Sequence, residues 1–441
     1  MRYTLNIAGL ITCFTILAST QIFGTTLHLS LTEAIEIALH QNEDMKIAQI
    51  NEDQAEKEYQ IIRSQMLPHI SAQGIASKYF DRSVVPKTVP GPGGVAVFHD
   101  MPINRKYGLE TQLIATQVLF SFGQIFNSVQ AANQGIEIKK IQKENDRQDI
   151  ILNTTNTYLA LLLSEKALKI AKESHENATT IKSILSGRYS KGRSPLADLV
   201  KLDRDIAFRW TEVLKAKNEN EMAEAYLKYY LNVGQDTHLV LKTDLSMISL
   251  TNIDLYEKRL QNNSNIKLLK NKITADDYLI KSKKAAFLPT LSSFVAYNHT
   301  GSSEKNDFSD VPGINHVGTV GIRINIPLFE GGKTSSAYKN AVLEKTKTMI
   351  SLEKAKRLLV LDLEKSLIEF QSHRAIYKQN LQSIELAKKT FEISKKRFAS
   401  GQSSITELND AELLLTQAKI NKEMTLFKIN QLNAKINRLT R

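Results

Sequence analysis

The sequence is poor in cysteine: of 441 residues only Cys13 carries a thiol. One thiol closes no internal disulfide and builds no cysteine-based zinc cluster. Proline is also scarce, nine in all, and none lies between Gly123 and Ser186 or between Gly332 and Phe398. After residue 24 no run approaches the ~18 consecutive apolar residues of a membrane-spanning helix. A phosphate-binding loop, a nucleophile elbow and a metalloprotease helix are missing. The histidines (His28, His40, His69, His99, His175, His238, His299, His316 and His373) are scattered, and none forms a close pair with ligand spacing. The expectation is therefore no catalytic residue, no metal site, no cofactor and no enzyme. Trp210, the single tryptophan, reads as packing between helices.

What is present begins with a targeting signal. Arg2, the apolar run from Leu5 to Leu17 and the small residues Ala18, Ser19, Thr20 and Gly24 read as a secretory signal peptide over 1–24. Cys13 lies inside it, and Leu10-Ile11-Thr12-Cys13 loosely resembles a lipid-attachment box with a poor residue before the cysteine. Both readings of Cys13, lipidated or inert, stay open. The formal charge is +12, but Lys and Arg interleave with Glu and Asp along helical segments. That is the pattern of solvated helix faces, and together with export it argues against a nucleic-acid partner.

The chain contains a long internal repeat. Leu119-Phe120 matches Leu328-Phe329, Gly123 matches Gly332, Arg188-Tyr189 matches Arg397-Phe398, and Gly192 matches Gly401, each pair 209 residues apart. Upstream, Leu67-Pro68 matches Leu288-Pro289 at an offset of 221, so the first half holds 12 extra residues, which fall in the Pro/Gly-rich stretch from Pro86 to Pro102. The halves are placed at 25–240 and 241–441. Each reads as helix, β-hairpin, long helix, tight break and helix, with hairpins over 69–120 and 290–328.

Ser30 and Glu33 form a capping box ahead of the apolar stripe Leu31, Ala34, Ile35, Ala38 and Leu39. That helix is expected to run unbroken until Pro68 stops it near Leu67; its counterpart runs from about Leu255 to Phe287, before Pro289. The proline-free segments predict helices of roughly 95–100 Å, too long for a globular domain and suited to a coiled coil or helical barrel. In the closing helix Leu408, Ala411, Leu415 and Ala418 step by 3-4-3, as do Ile429, Leu432, Ile436 and Leu439, with Lys422 and Thr425 interrupting the seam.

The strand segments alternate. Val320, Ile322, Ile324 and Ile326 oppose Thr319, Gly321, Arg323 and Asn325, while Tyr107, Leu109 and Leu113 oppose Glu110, Gln112 and Thr116. In an exported chain this fits an outer-membrane barrel. Four strands cannot close one, and unsatisfied edges are not tolerated in lipid, but three chains would supply twelve. The segment Asp81–Asn104, with Pro86, Pro90, Gly91, Pro92, Gly93, Gly94 and Pro102, is expected to be an extracellular loop without regular strand or helix.

Leu67-Pro68 and Leu288-Pro289 before a strand, Leu119-Phe120-Ser121-Phe122-Gly123 and Pro327-Leu328-Phe329-Glu330-Gly331-Gly332 at the strand-to-helix transitions, and Arg188-Tyr189-Ser190-Lys191-Gly192 and Lys396-Arg397-Phe398-Ala399-Ser400-Gly401 at the helix break stand in order and in duplicate. Over almost its whole length beyond the signal, the chain resembles the TolC-like outer-membrane efflux protein family. The resemblance implies a mainly α fold with a membrane β-barrel portion. Long antiparallel helices would form a trimeric α-barrel continuous with a shared 12-stranded β-barrel, four strands per protomer. It further implies a homotrimer in outer-membrane lipid, extending into the periplasm. Its partners would be a periplasmic adaptor and an inner-membrane pump of RND, ABC or MFS type, exporting small molecules or proteins. Pro68 and Pro289 would mark the helix-to-strand junctions, and Gly192 and Gly401 the turns at the periplasmic tip. The competing reading is a periplasmic coiled-coil adaptor without a pore; it would need no lipid-facing strands.

Near those turns stand Asp198, Glu407 and Asp410, the last two sharing one helix face. They read either as a gate ring favouring cations or as first-turn acids welcomed by the helix dipole. Arg193 is the favoured basic partner for that gate, with Arg188 and Arg397 also at hand.

Overall fold

The computed structural model describes residues 26–81, 84–90, 96–102, 106–247, 260–304 and 315–440. The signal segment with Cys13, the start of the second-half helix near Leu255 and the Gly91–Gly94 run lie outside these residues. Most of the described residues are helical. Two compact units divide it, and both draw on both repeats: Met1–Ile47, Asn145–Asn263 and Leu358–Arg441 make the first, Ala48–Glu144 and Ser264–Arg357 the second.

The second unit holds the sheet. Strands β2 (His69–Lys78), β5 (Tyr107–Phe120), β7 (Thr290–Ser303) and β8 (Asn315–Asn325) pair antiparallel in that order. Register aligns Ile70, Ala115, Val295 and Val320 in one row, and Gln73, Gln112, Asn298 and Val317 in another. Successive rows face opposite ways, as the alternation read in the segments of β5 and β8 requires. On one face Ile70, Val295, Val320 and Ile322 are exposed apolar residues, Val320 at 79%. The other face carries Glu110, Arg323 and an amide row in which Gln112 Nε2 donates to Asn298 Oδ1 at 2.8 Å.

The segment expected to lack regular structure instead forms an antiparallel pair, β3 (Val84–Pro90) with β4 (Ala96–Pro102). The reason is that a two-stranded ribbon is all edge. A proline at a position whose nitrogen faces away from the partner strand removes no ladder bond.

In the first unit, β1 (Thr26–Leu29) pairs in parallel with β6 (His238–Leu241), a contact absent from the sequence reading. Strand β6 crosses the position assigned to the boundary between the halves. Leu29, Ala34, Ala38, Tyr158, Leu227 and Leu239 pack around this pair. Tyr158 Oη, fully buried, donates to the Leu29 carbonyl at 3.0 Å.

Helix α1 (Leu31–Gln41) opens on the expected capping box, with the Ser30 amide donating to Glu33 at 2.7 Å and the Glu33 amide to Ser30 Oγ at 3.3 Å. It does not run on to Leu67. Asn42 turns extended (φ −62°, ψ 134°), and its side chain caps the next helix by accepting from the Asp44 amide at 2.8 Å. Helix α2 (Glu43–Ser64) follows. The second half breaks at Asn263, ahead of α5 (Ser264–Ala285), and 263 is 221 beyond 42. Asn42 Nδ2 donates to the Tyr230 carbonyl at 3.4 Å, and Asn263 Nδ2 to the Leu439 carbonyl at 2.9 Å; these carbonyls lie 209 apart. Each half thus ties its first helix break to the end of its own last helix.

The long helices are α3 (Gln124–Tyr189, 66 residues) and α6 (Lys333–Ser400, 68 residues). Each follows two residues at positive φ, Phe122 and Gly123 (50° and 83°) and Gly331 and Gly332 (61° and 85°). Helices α4 (Leu196–Leu231) and α7 (Ile405–Leu439) close the halves. On α7 Leu408, Ala411, Leu415, Ala418, Ile429, Leu432 and Ile436 are buried. At the interruption of that seam, Thr425 accepts a bond from Asn380 Nδ2 at 3.0 Å.

Candidate functional site: the helix turns and the acids beside them

Both turns end their helix in the same way. Gly192 N donates to the Tyr189 carbonyl at 2.9 Å and Arg193 N to the Arg188 carbonyl at 2.8 Å. Gly401 N donates to Phe398 at 3.0 Å and Gln402 N to Arg397 at 2.8 Å. This is the Schellman arrangement, and it needs the left-handed backbone that both glycines adopt, at φ 65° and 83°.

Helix α7 then starts on Ser404, whose Oγ accepts from the Glu407 amide at 3.2 Å. Glu407 is therefore a first-turn acid, as the dipole favours. Its carboxylate also accepts from Arg397 Nη1 at 3.1 Å across the turn, with both side chains about half exposed. Asp410 is exposed one turn on, and Asp198 lies partly buried in the first turn of α4, which has no side-chain cap at Pro195.

Within the protomer the basic partner of Glu407 is Arg397; Arg193 is exposed and makes no ion pair among the described residues. Arg188 turns inward instead. Its Nη1 donates to the Phe398 carbonyl at 2.5 Å, and the guanidinium lies 4.8 Å over the Phe398 ring. Ile181, Leu185, Leu202, Phe391, Phe398, Ile405 and Leu408 form an apolar core from α3, α4, α6 and α7.

Sequence reasoning missed a polar cluster next to this core. Arg209 on α4 and Glu412 on α7 form an ion pair with side chains only 5% and 1% exposed. The same guanidinium reaches Ser174 on α3, and Arg209 Nη2 donates to Asn409 Oδ1 at 2.5 Å. A half-exposed pair such as Arg397–Glu407 contributes about 0–1 kcal/mol. Removing one partner of a buried pair costs about 3–5 kcal/mol, because the other charge is left unpaired in low dielectric. Nothing in the sequence marks Glu412 as inward, since three helices must meet to enclose it.

Leu67 N bonds the Ser64 carbonyl at 2.9 Å before Pro68, and Leu288 N bonds Ala285 at 3.0 Å before Pro289, each a last turn leading into a strand. Trp210 is half exposed rather than enclosed between helices, its ring 5.2 Å from His175. His299 and His316 are cross-strand partners in the β7–β8 hairpin, with rings 4.8 Å apart. Among the described residues no group of three or more His, Cys, Asp or Glu is placed to hold a metal ion.

Paired long helices with glycine turns, joined to strands that carry one apolar face, define a class of channel subunit. The chain belongs to the outer membrane efflux protein family, whose model matches residues 34–233 and 255–439. It is similar to the pyoverdine export outer membrane protein OpmQ of Pseudomonas putida, 19% identical over 409 residues, 92% of this chain and 84% of that one. The outer membrane protein TolC of Salmonella enteritidis is 22% identical over 337 residues, 73% and 67% of the two chains. Among solved structures, the CmeC outer membrane channel of Campylobacter jejuni superposes with a TM-score of 0.74 at 19% identity, covering 93% of this chain and 85% of that one. The open state of the MtrE outer membrane channel of Neisseria gonorrhoeae gives 0.74 at 18%, covering 93% and 88%.

The protein is an outer-membrane exit duct for efflux or type I secretion in a Gram-negative envelope. Its family comprises channels, not enzymes, and its members work with periplasmic adaptors and inner-membrane pumps.

Proposed function

We propose that three copies of this chain form one duct. Each lends β2, β5, β7 and β8 to a shared twelve-stranded barrel in outer-membrane lipid and its helices to an α-barrel in the periplasm. The observation that carries the reading is the four-stranded sheet itself, which has an exposed apolar face and two outer edges, β2 and β8. In lipid such edges must be paired, and pairing β8 of one copy with β2 of the next satisfies both without an extra strand. The energy source lies elsewhere: an adaptor docks the duct to an inner-membrane pump of RND, ABC or MFS type.

The helix turns are the periplasmic mouth. Three copies bring Asp198, Glu407 and Asp410 around it three times over, and like charges at close quarters attract cations. Single-channel recording of the Glu407→Ala/Asp410→Ala variant tests this. The reading expects cation selectivity and block by multivalent cations from the periplasmic side to weaken while the trimer persists. Unchanged selectivity and block would reduce these acids to helix-start residues.

A further inference from the structure

Arg209 and Glu412 take no part in the mouth described above, yet they anchor the most enclosed polar cluster near it. Glu412 Oε2 accepts from Arg209 and from Ser174 Oγ at 3.3 Å, while Oε1 accepts from Thr416 Oγ1 at 3.0 Å and Asn177 Nδ2 at 3.5 Å. Asn409, which receives Arg209 Nη2, itself donates to Asp205 Oδ2 at 3.0 Å. The partners come from α3 (Ser174, Asn177), α4 (Asp205, Arg209) and α7 (Asn409, Glu412, Thr416). Helix α6 supplies none of them; at the tip it is tied to the other helices by the apolar core, by the Arg188 bond to the Phe398 carbonyl and by the half-exposed Arg397–Glu407 pair.

We propose that the Arg209–Glu412 pair is the fulcrum of the tip. It keeps α3, α4 and α7 fixed to one another in the shut and the open duct, and gate movement is confined to the residues between it and the two glycine turns. This rests on the duct reading. The physical ground is relative cost. A carboxylate with both oxygens engaged, buried opposite a guanidinium, separates only by stranding two charges in low dielectric. The half-exposed Arg397–Glu407 pair exchanges its partner for water at little cost. A partner protein that rearranges the tip therefore breaks the outer contacts and leaves the inner one whole. Arg209 and Glu412 are positioning residues, holding the α7 acids in fixed register with Asp198.

Two experiments on the full-length protein in planar bilayers test this. In an Asp205→Cys/Asn409→Cys variant recorded while it conducts, a short thiol-to-thiol cross-linker bridges α4 and α7. Conductance within twofold before and after cross-linking is expected; closure on cross-linking overturns the fulcrum. Arg209→Met strands Glu412 and is expected to raise the open probability at least about tenfold, with Arg209→Met/Glu412→Met returning it to the parental value. A parental trace from Arg209→Met, with only the heat stability of the trimer lowered, also overturns the proposal and leaves the duct standing. If Arg209→Met does not assemble, the double variant and the cross-link decide. Absence of conductance from parent and variants alike overturns the duct reading and the fulcrum with it.

Discussion

At Gly192 the chain leaves α3 through a six-residue gap and enters α4 behind Pro195, without a side-chain cap. At Gly401 it leaves α6 through the same Schellman geometry and enters α7 behind Ser404, which caps the helix. The backbone bonds correspond one for one at an offset of 209, and the side chains around them do not. Arg397 holds Glu407 across the second turn, whereas its counterpart Arg188 crosses to the Phe398 carbonyl. Position 418, the counterpart of Arg209, is an alanine. The repeat preserves its joints, which geometry dictates, and differs in the charges placed around them.

The comparison is sharpened most strongly at the glycines. Valine at Gly192 or Gly401 would have to hold a left-handed backbone, at a cost of about 2 kcal/mol in either half. Both variants should lower the heat-dissociation midpoint of the detergent-purified assembly by similar amounts. A large effect at one turn and none at the other would break the equivalence.

The asparagine breaks come next. Asn42→Ala and Asn263→Ala each remove a bond to the last carbonyls of α4 and α7, a loss of about 1–1.5 kcal/mol. Amide hydrogen exchange should show the final turn of α4 opening in the first variant and that of α7 in the second. At these helix ends the loss of the Asn263 bond should be felt more, being 2.9 Å against 3.4 Å, while Asn42→Ala also removes the cap on α2.

The helix starts should behave unequally. Ser404→Ala loses a cap and costs about 1 kcal/mol, while Pro195→Ala removes none and should stay within about 0.5 kcal/mol. Chemical denaturation in detergent separates the two.

Smallest is a pH effect at the capping box. The Ser30 amide and the Lys242 side chain hold Glu33 down from 4.5 to about 2. A depressed carboxyl contributes stability above its unfolded value, lost as the pH falls from 4.5 through about 2. The parent should lose part of its resistance to denaturant over that range, and Glu33→Gln should not show that component.

What was legible in the sequence was local or duplicated. The capping box needs only Ser30 and Glu33; the strand faces need only alternation; the turns announce themselves as glycines at equal spacing. The break at Asn42 hid because Asn-Glu-Asp is as polar as an exposed helix surface, and the side-chain bond that goes with the break reaches Tyr230, 188 residues away. Strands β1 and β6 have four residues each and lie 212 apart, so no periodicity signals them. The prolines of β3 and β4 suggested a loop because their tolerance at a free edge depends on having a partner strand. Arg209 and Glu412 looked like solvated charges, since burial there is a property of three helices together.

The central claim is that four strands per chain become a closed barrel only by sharing. The direct test is the mass of the detergent-purified particle, measured on the same preparation that conducts in planar bilayers. The account predicts three copies per conducting particle, dissociating on heating together with the loss of conductance. A monodisperse monomer that still conducts would contradict it.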